Sequence, residues 1–528
     1  MKTIYLSICA ALFFFGNMSA QWIDLAEETD TRITITNVND NSDPNAVDDM
    51  EKDLAIGDFD QDGFIDLVVV RKAPFSTIGA KTDLLLMNRN GVLEDQTDLY
   101  APDFLSDPKD SRDVIPVDVN NDTWLDLFIV NTFSDQPKLF INQGNDTNGD
   151  WLGFEDESNT RLPVLTLGII QFCAGWGGDV TGNGAADLYM VNYDSSGLAL
   201  DVLFINDGNG NFTDETETRM GELRNSSFGT GVEIHDIDND GDLDIIKNLG
   251  LNNIPPFNDK GTIALFNNGD GTFTNWYKLP GAATYMFTAG DLDNDGMLEF
   301  YEVDDFADYV NSITGFVVDE SLTISQYLLP TDRTDNWGGN VKMIDLDNDG
   351  DLDAALSSVD TDEPPCLTGE DRRFMIFENE GIHSGDLIHP YGSTINDWNV
   401  STYDHDFIDI NNDGYLDIIL GTCDGYQIFM HQPVLSVQDQ NKAISIAVTP
   451  NPNNGQMRIH LGNLQSDSLK LNLFTVNGRL IHSTSGEPTL LSSVYDIELD
   501  LSGTLKSGIY FLKITTDTGT ITEKVVVK

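Results

Sequence analysis

Cysteine is nearly absent from this 528-residue chain: there are four, and Cys9 lies inside an apolar stretch at the start. The other three, Cys173, Cys366 and Cys423, are an odd number scattered far apart. A disulfide-built scaffold is therefore excluded, and neither zinc nor redox spacing is present. Small buried thiols are the expectation. Basic residues are also scarce, with 28 Lys and Arg against 88 Asp and Glu and a net charge of −60. So acidic a surface repels polyanions, which excludes nucleic acid and argues against unassisted binding of pectin- or alginate-like chains. Beyond the first twenty residues, no stretch approaches the ~18 consecutive apolar residues of a membrane span. HExxH, GxSxG and phosphate-cradling glycine loops are missing, and the seven His are scattered. The abundant Asp residues sit at metal-loop spacing, so no glycosidase-like carboxylate pair stands out.

Residues 1–20 read as a cleaved secretory signal. Lys2 gives the positive start, Ile4 to Phe15 the apolar stretch, and Met18-Ser19-Ala20 a small-residue cleavage site. Ile8 is too bulky for the position before a lipoprotein cysteine. The expectation is a soluble, exported chain.

What the sequence has in abundance is one acidic loop, written seven times at spacings of 54 to 64 residues. The copies read DFDQDGFID from Asp58, DVNNDTWLD from Asp118, DVTGNGAAD from Asp179 and DIDNDGDLD from Asp236. DLDNDGMLE from Asp291, DLDNDGDLD from Asp345 and DINNDGYLD from Asp409 complete the series. Oxygen side chains at positions 1, 3, 5 and 9, with Gly usually at 6, suit a hard cation such as Ca²⁺, which needs several oxygens on a sharply turning backbone. An EF-hand would need Glu at position 12 and flanking helices. Here position 12 is Val69, Ile129, Met190, Lys247 and Leu420 in five repeats, inside strand-like runs, so that reading fails.

Each loop is followed by an apolar run, such as Leu67-Val68-Val69-Val70 or Leu188-Tyr189-Met190-Val191. A second run comes next, such as Leu84-Leu85-Leu86-Met87, then an Asn/Gly turn and an alternating strand. Apolar runs without alternation suit sheets buried on both faces. The unit predicts an all-β, seven-bladed β-propeller over residues 21–432. The last repeat stops near Met430 without its final strand, and the segment Gln21-Trp22-Ile23-Asp24-Leu25-Ala26-Glu27 supplies one. The first strand is expected to close the last blade and remove both open edges.

With its seven loops the propeller resembles the FG-GAP/VCBS repeat family, whose blades also form the head of integrin α-subunits. That resemblance implies a calcium ion in each loop, held by side chains 1, 3, 5 and 9 and the carbonyl of position 7. The first four sites are then Asp58, Asp60, Asp62, Phe64 and Asp66; Asp118, Asn120, Asp122, Trp124 and Asp126; Asp179, Thr181, Asn183, Ala185 and Asp187; and Asp236, Asp238, Asp240, Asp242 and Asp244. The remaining three are Asp291, Asp293, Asp295, Met297 and Glu299; Asp345, Asp347, Asp349, Asp351 and Asp353; and Asp409, Asn411, Asp413, Tyr415 and Asp417. Two loops depart from the pattern. Thr181 and Asn183 leave the third with two carboxylates, so it should fill last or never, and Thr123 stands where Gly is usual. The loops from Asp58, Asp236, Asp291 and Asp345 offer four carboxylates each and should fill first.

Residues 433–444 lack the repeat pattern and read as a linker. From residue 442 on, eight Lys and Arg meet seven Asp and Glu, so the remainder of the chain carries −61. Residues 445–528 predict a small β-sandwich around an Asn-Gly turn. Their order of Pro450-Asn451-Pro452, Leu473-Phe474-Thr475-Val476-Asn477-Gly478, Gly508-Ile509-Tyr510-Phe511 and a basic last residue resembles the type A C-terminal sorting domain of the Bacteroidota type IX secretion system. That resemblance implies the secretion machinery as a partner, and release or attachment at the cell surface.

His235 and His405 are expected on first strands, lining a central channel. Trp176, Phe228, Trp337 and Trp398 are expected on the face opposite the calcium loops, as stacking surfaces for an extracellular glycan or protein ligand. The favoured function is a non-enzymatic recognition or adhesion module built on a monomeric propeller. The alternative is a calcium-dependent carbohydrate-active enzyme, a polysaccharide lyase or a relative. Against the alternative, residues 1–441 hold 20 Lys and Arg, none of them clustered to neutralise a uronate.

Overall fold

The computed structural model describes residues 23–36, 50–73, 79–281, 285–303, 308–317, 321–328, 339–357, 374–379, 387–391, 402–422, 425–432, 445–449, 453–462, 469–475, 480–486, 494–506, 508–516 and 519–528. The protein is all-β, and among the described residues no helix exceeds five residues. None is long and apolar enough to cross a membrane. The chain divides into two compact units, residues 1–432 and 433–528.

In the first unit each acidic loop turns one strand back along the next. Glu51–Gly57 runs through the first loop into Asp66–Lys72, followed by Leu84–Asn88 and Leu93–Asp95, all antiparallel. The same meander recurs in sheets that begin with Ser111–Val117, Phe172–Gly178, Val232–His235, Met286–Gly290, Val341–Ile344 and Thr402–Ile408. The seventh sheet takes its outer strand from the other end of the unit. Asp24–Glu27 pairs antiparallel with Gly425–Gln432, in the register Asp24 to Gln432. An edge that would have been left open is thereby covered.

The second strands are buried on both faces because every sheet lies between two others; Leu67, Val68, Val69 and Val70 are at most 1% exposed. A hydrophobic core fills each of the seven junctions between neighbouring sheets, including that of the seventh with the first. There Leu54, Leu67 and Val69 meet Ile408, Ile419 and Ile428. The first strands crowd together. At Gly175 a Cβ would come within 3.1 Å of Ile115 on the first strand of the preceding sheet and within 2.7 Å of Val130 on its second. First strands of all seven sheets border a single cavity. The arrangement is β-propeller-like.

The second unit holds two sheets. One is ordered Ser445–Thr449, Gln456–Gly462, Val494–Asp500, and the other Leu480–Gly486, Leu469–Thr475, Gly508–Thr516, Gly519–Val527. Alternate residues face inward, so that Ile459, Leu461, Leu471, Leu473, Leu512 and Val525 share one core. Asn453 ties down the end of the chain: its N–H donates to Val526 O at 2.9 Å, and Lys528 N–H donates to Asn453 O at 2.8 Å.

Candidate functional site

All seven loops are wound by the same local bonds. The position 1 carboxylate accepts from the N–H of position 6, as Asp58 does from Gly63 (3.1 Å), Asp236 from Gly241 (3.0 Å) and Asp409 from Gly414 (2.8 Å). Position 5 accepts from position 7, as Asp62 does from Phe64 (2.9 Å) and Asp295 from Met297 (2.8 Å). Positions 4 and 6 both turn through positive φ. Asn239 lies at 59°, Gly241 at 99°, and Thr123 is forced to 77° where the other six loops have glycine.

The carboxylate at position 9 is buried and joins three parts of its sheet. Asp244 accepts from Ile237 N–H in the loop (3.0 Å) and from Asn267 N–H at the end of the third strand (2.8 Å). Burial pushes these carboxyls up, to about 8 for Asp66, Asp353 and Glu299, and to about 7 for Asp126, Asp244 and Asp417. In four loops three carboxylates converge within 4.8 Å: Asp58, Asp60 and Asp62; Asp236, Asp238 and Asp244; Asp291, Asp293 and Asp295; Asp345, Asp347 and Asp349. Asp58 Oδ1 is buried there with no hydrogen-bond partner. Burial and mutual repulsion of the carboxylates fit a cation, which would hold the charged form in place. The third loop differs. Asn183 Nδ2 donates to Asn206 O (3.0 Å) and Thr181 Oγ1 to Asp179 Oδ1 (3.4 Å), so its uncharged side chains serve the loop itself.

Neighbouring loops are tied together by residues that pattern reading took for mere turns. The Asn closing the third strand reaches the position 2 carbonyl of the preceding loop: Asn142 to Phe59 O (2.9 Å), Asn206 to Val119 O (2.8 Å), Asn267 to Val180 O (2.7 Å). Position 4 reaches the position 6 carbonyl of the following loop: Asn239 to Gly296 O (3.0 Å), Asn348 to Gly414 O (3.1 Å), Asn412 to Gly63 O (3.0 Å). The recurrence of Asn two residues before the turn glycine was the signal available in the sequence.

The cavity bordered by the first strands has a volume of about 720 Å³. Its wall is acidic on one side. Asp404 Oδ2 accepts from Leu54 N–H (2.9 Å), Asp53 Oδ2 from Val114 N–H (3.3 Å) and Asp113 Oδ2 from Gly175 N–H (2.6 Å), each bond passing from one sheet to the next. Asp53 and Asp113 also share a side-chain hydrogen bond. Burial first, then Asp113 and Asp404, pushes the Asp53 carboxyl well above its usual range, and burial lifts Asp113 to about 6. Lys342 lies 3.1 Å from Asp406 and 3.9 Å from Asp404. Burial opposes its charge, but Asp404, Asp406 and Asp53 outweigh that and keep it protonated. On the same lining, Trp176 is 36% exposed and tilts over His235 at 6.0 Å, and His235 Nε2 meets Glu233 Oε2 at 2.8 Å.

Of the residues singled out from sequence, His235 and Trp176 line the cavity. His405 lies on a first strand but is fully buried between Phe374 and Phe407, and burial holds its ring neutral. The position of Trp176 corrects one expectation. Trp176 is on the strand Phe172–Gly178, three residues before the third loop, so it stands at the loop end of that strand and not on the opposite face. The strand begins earlier than its aromatic segment suggested, with a bulge between Phe172 and Ala174. Phe228 is half-buried edge-on to Tyr193, 5.1 Å between centroids, away from the cavity wall. Trp337, Trp398, Cys366, Cys423, the signal segment and the linker lie outside the described residues. Cys173 is buried, in no disulfide, and accepts from Arg112 Nε at 3.2 Å.

Two family models match the chain: an FG-GAP-like repeat at residues 179–246 and a secretion system C-terminal sorting domain at residues 447–528. No curated protein matches. Among solved structures, a fructofuranosidase from Schwanniomyces occidentalis complexed with fructose is 9% identical, with 91% of this chain and 89% of that one covered at a TM-score of 0.31. A GH32 β-fructofuranosidase from Bombyx mori is 12% identical, with 67% and 86% covered at 0.24. Dimeric latent PorU from Porphyromonas gingivalis is 12% identical, with 65% and 31% covered at 0.14. Overlaps this loose bear on neither activity nor substrate. The sorting domain implies an interaction with the type IX secretion machinery and export to a secreted or outer-surface location. The chain thus carries an FG-GAP-like repeat and ends in a type IX secretion C-terminal sorting domain.

Proposed function

We propose that the protein is a seven-bladed propeller with a C-terminal β-sandwich, stapled by calcium, and that it acts outside the cell as a recognition or adhesion module. Calcium would be held by the side chains at positions 1, 3, 5 and 9 of the loops, up to seven ions, with the third loop least suited. Its contribution there is charge: it neutralises buried carboxylates that otherwise repel one another beside strands the fold needs. The ligand is a glycan or a protein segment, and its site is the cavity between the first strands.

The observation that carries this reading is a cavity of about 720 Å³ lined both by an exposed Trp176 and by buried carboxylates. An indole face stacks on sugar rings or anchors an apolar side chain, and buried carboxylates accept hydroxyl or ammonium donors. Screening the full chain against glycan and peptide arrays, with calcium and with EDTA, tests the reading. Trp176→Ala should weaken capture and leave the calcium-dependent melt intact. Loss of several degrees of stability with capture unchanged would make Trp176 a packing residue and remove the cavity as the site.

One observation favours the enzymatic alternative. Asp53 and Asp113 lie side by side with raised carboxyls, the condition for dividing acid and base roles. Release of new reducing ends from a bound glycan, abolished in Asp53→Asn, would decide for it.

A further inference from the structure

The first loop, with four carboxylates, ranks by charge among those that should bind calcium best, yet it already holds a cation of the chain's own. Arg89 follows Asn88 at the end of the third strand, and its Nη1 lies 2.8 Å from Asp60 Oδ2 and 3.1 Å from Asp62 Oδ2. Those are the side chains at positions 3 and 5. Their other oxygens are already used inside the loop, Asp60 Oδ1 by Asp62 N–H (3.3 Å) and Asp62 Oδ1 by Phe64 N–H (2.9 Å). The Asp60 side chain is 9% exposed, and Nη2 of the arginine is braced by Gln96 Oε1 at 3.3 Å. At the equivalent place after the strand-ending Asn, other sheets have Gln143, Asp207 and Asn268, none of them basic. In the sixth loop, Asp347 and Asp349 meet no Lys or Arg among the described residues.

We propose that Arg89 is a resident counter-ion that makes the first loop calcium-independent, so that it does not fill under conditions that load the loops from Asp236, Asp291 and Asp345. A guanidinium cannot lose its proton in this setting, so its charge is permanent. Calcium would have to bind within a few ångströms of it, against direct repulsion, or displace it from two short charge-assisted bonds. The first loop also receives Asn412 from the seventh loop and sends Gln61 to the second, at 3.0 and 2.9 Å. It sits at the junction of the seventh sheet with the first. A staple with a built-in cation keeps that junction ordered before any metal arrives. This inference rests on the reading that the loops bind calcium.

The test is calorimetric titration of the chelator-stripped full chain with calcium alone, comparing stoichiometries. Asp60→Ala should leave the number of ions bound unchanged, whereas Asp347→Ala, its counterpart in the sixth loop, should lose one. Arg89→Gln should add one ion or tighten one site tenfold or more, and Asp60→Ala in that background should remove the gain. If Asp60→Ala costs one ion in the otherwise native chain and Arg89→Gln changes nothing, the proposal is overturned while calcium binding stands. If neither the native chain nor Arg89→Gln binds calcium, both readings fall. The comparison of Asp60→Ala with Asp347→Ala needs no arginine variant, so a misfolded Arg89→Gln would not leave the question open.

Discussion

At the scale of single residues, the charges inside this protein divide into those matched by a partner and those crowded against their like. Lys247 and Asp201 are matched: both are fully buried, 2.5 Å apart. Lys247 also donates to Leu223 O and Asn225 O, and Tyr189 OH donates to Asp201 at 2.8 Å. Removing one member leaves the other charge stranded, so Asp201→Ala should cost about 3–5 kcal/mol by urea unfolding. The double replacement Asp201→Ala with Lys247→Met should recover a large part of that loss. Asp113 is of the crowded kind. Its carboxyl is raised to about 6, so between the ordinary carboxylate value near 3.9 and about 6 the folded state holds more proton than the unfolded one. Its contribution to stability is therefore fullest at low pH and falls as pH rises through that window. Asp113→Asn keeps an acceptor for Gly175 N–H without the charge. Melting curves should show it more stable than the parent at pH 7.5 and no more stable at pH 4. Equal shifts at both values would mean the pair is not under electrostatic strain.

At the scale of the element, the loop and the strand-ending Asn form one device. The loop bends the chain between first and second strands, and the Asn of the next sheet locks the loop to its neighbour. Asn206→Ala deletes donors to Val119 O and Ala186 O and the acceptor for Gly208 and Gly210 N–H. Leaving those buried groups unpaired should cost about 2–3 kcal/mol. Calcium should act on the same device. With extracellular affinities of roughly 10⁻⁴–10⁻³ M, millimolar calcium should raise the melting temperature clearly, EDTA should reverse this, and magnesium should substitute poorly. Asp236→Ala should lose more of the calcium effect than Asp179→Ala, because the loop from Asp179 offers two carboxylates and spends its amides on itself. Equal losses by calorimetry would refute that ranking.

At the scale of the whole molecule, the first unit closes on itself through Asp24–Glu27 and carries its own cores, while the second has a separate core of its own. Deleting residues 442–528 should therefore leave a folded first unit when the protein is made recombinantly, and should trap it in the periplasm of its native host. Normal amounts of the truncated chain at the surface or in the medium would show that export does not need the sorting domain.

Much of this organisation could be read before any coordinates, for a local reason. A nine-residue pattern of carboxylates and glycine specifies a turn by bonds between neighbours, as in Asp58 and Gly63, and an uninterrupted run such as Leu67 to Val70 specifies a strand buried on both faces. Repeated at near-constant spacing, these indicate the all-β class and the strand that completes the last sheet. The sorting domain was legible for the same reason, as a contiguous run. The cavity was not. Asp404 bonds to Leu54, 350 residues away, because ring closure brings the first and last sheets together, and no local pattern encodes that approach. A faint trace exists: Asp53, Asp113, Asn340 and Asp404 all stand five residues before their loops. That register acquires meaning once the first strands border one cavity and like-charged side chains are buried side by side in its wall. The same holds for Arg89. Its charge is plain in the sequence, but only the hairpin that returns it to Asp60 sets it against the loop carboxylates.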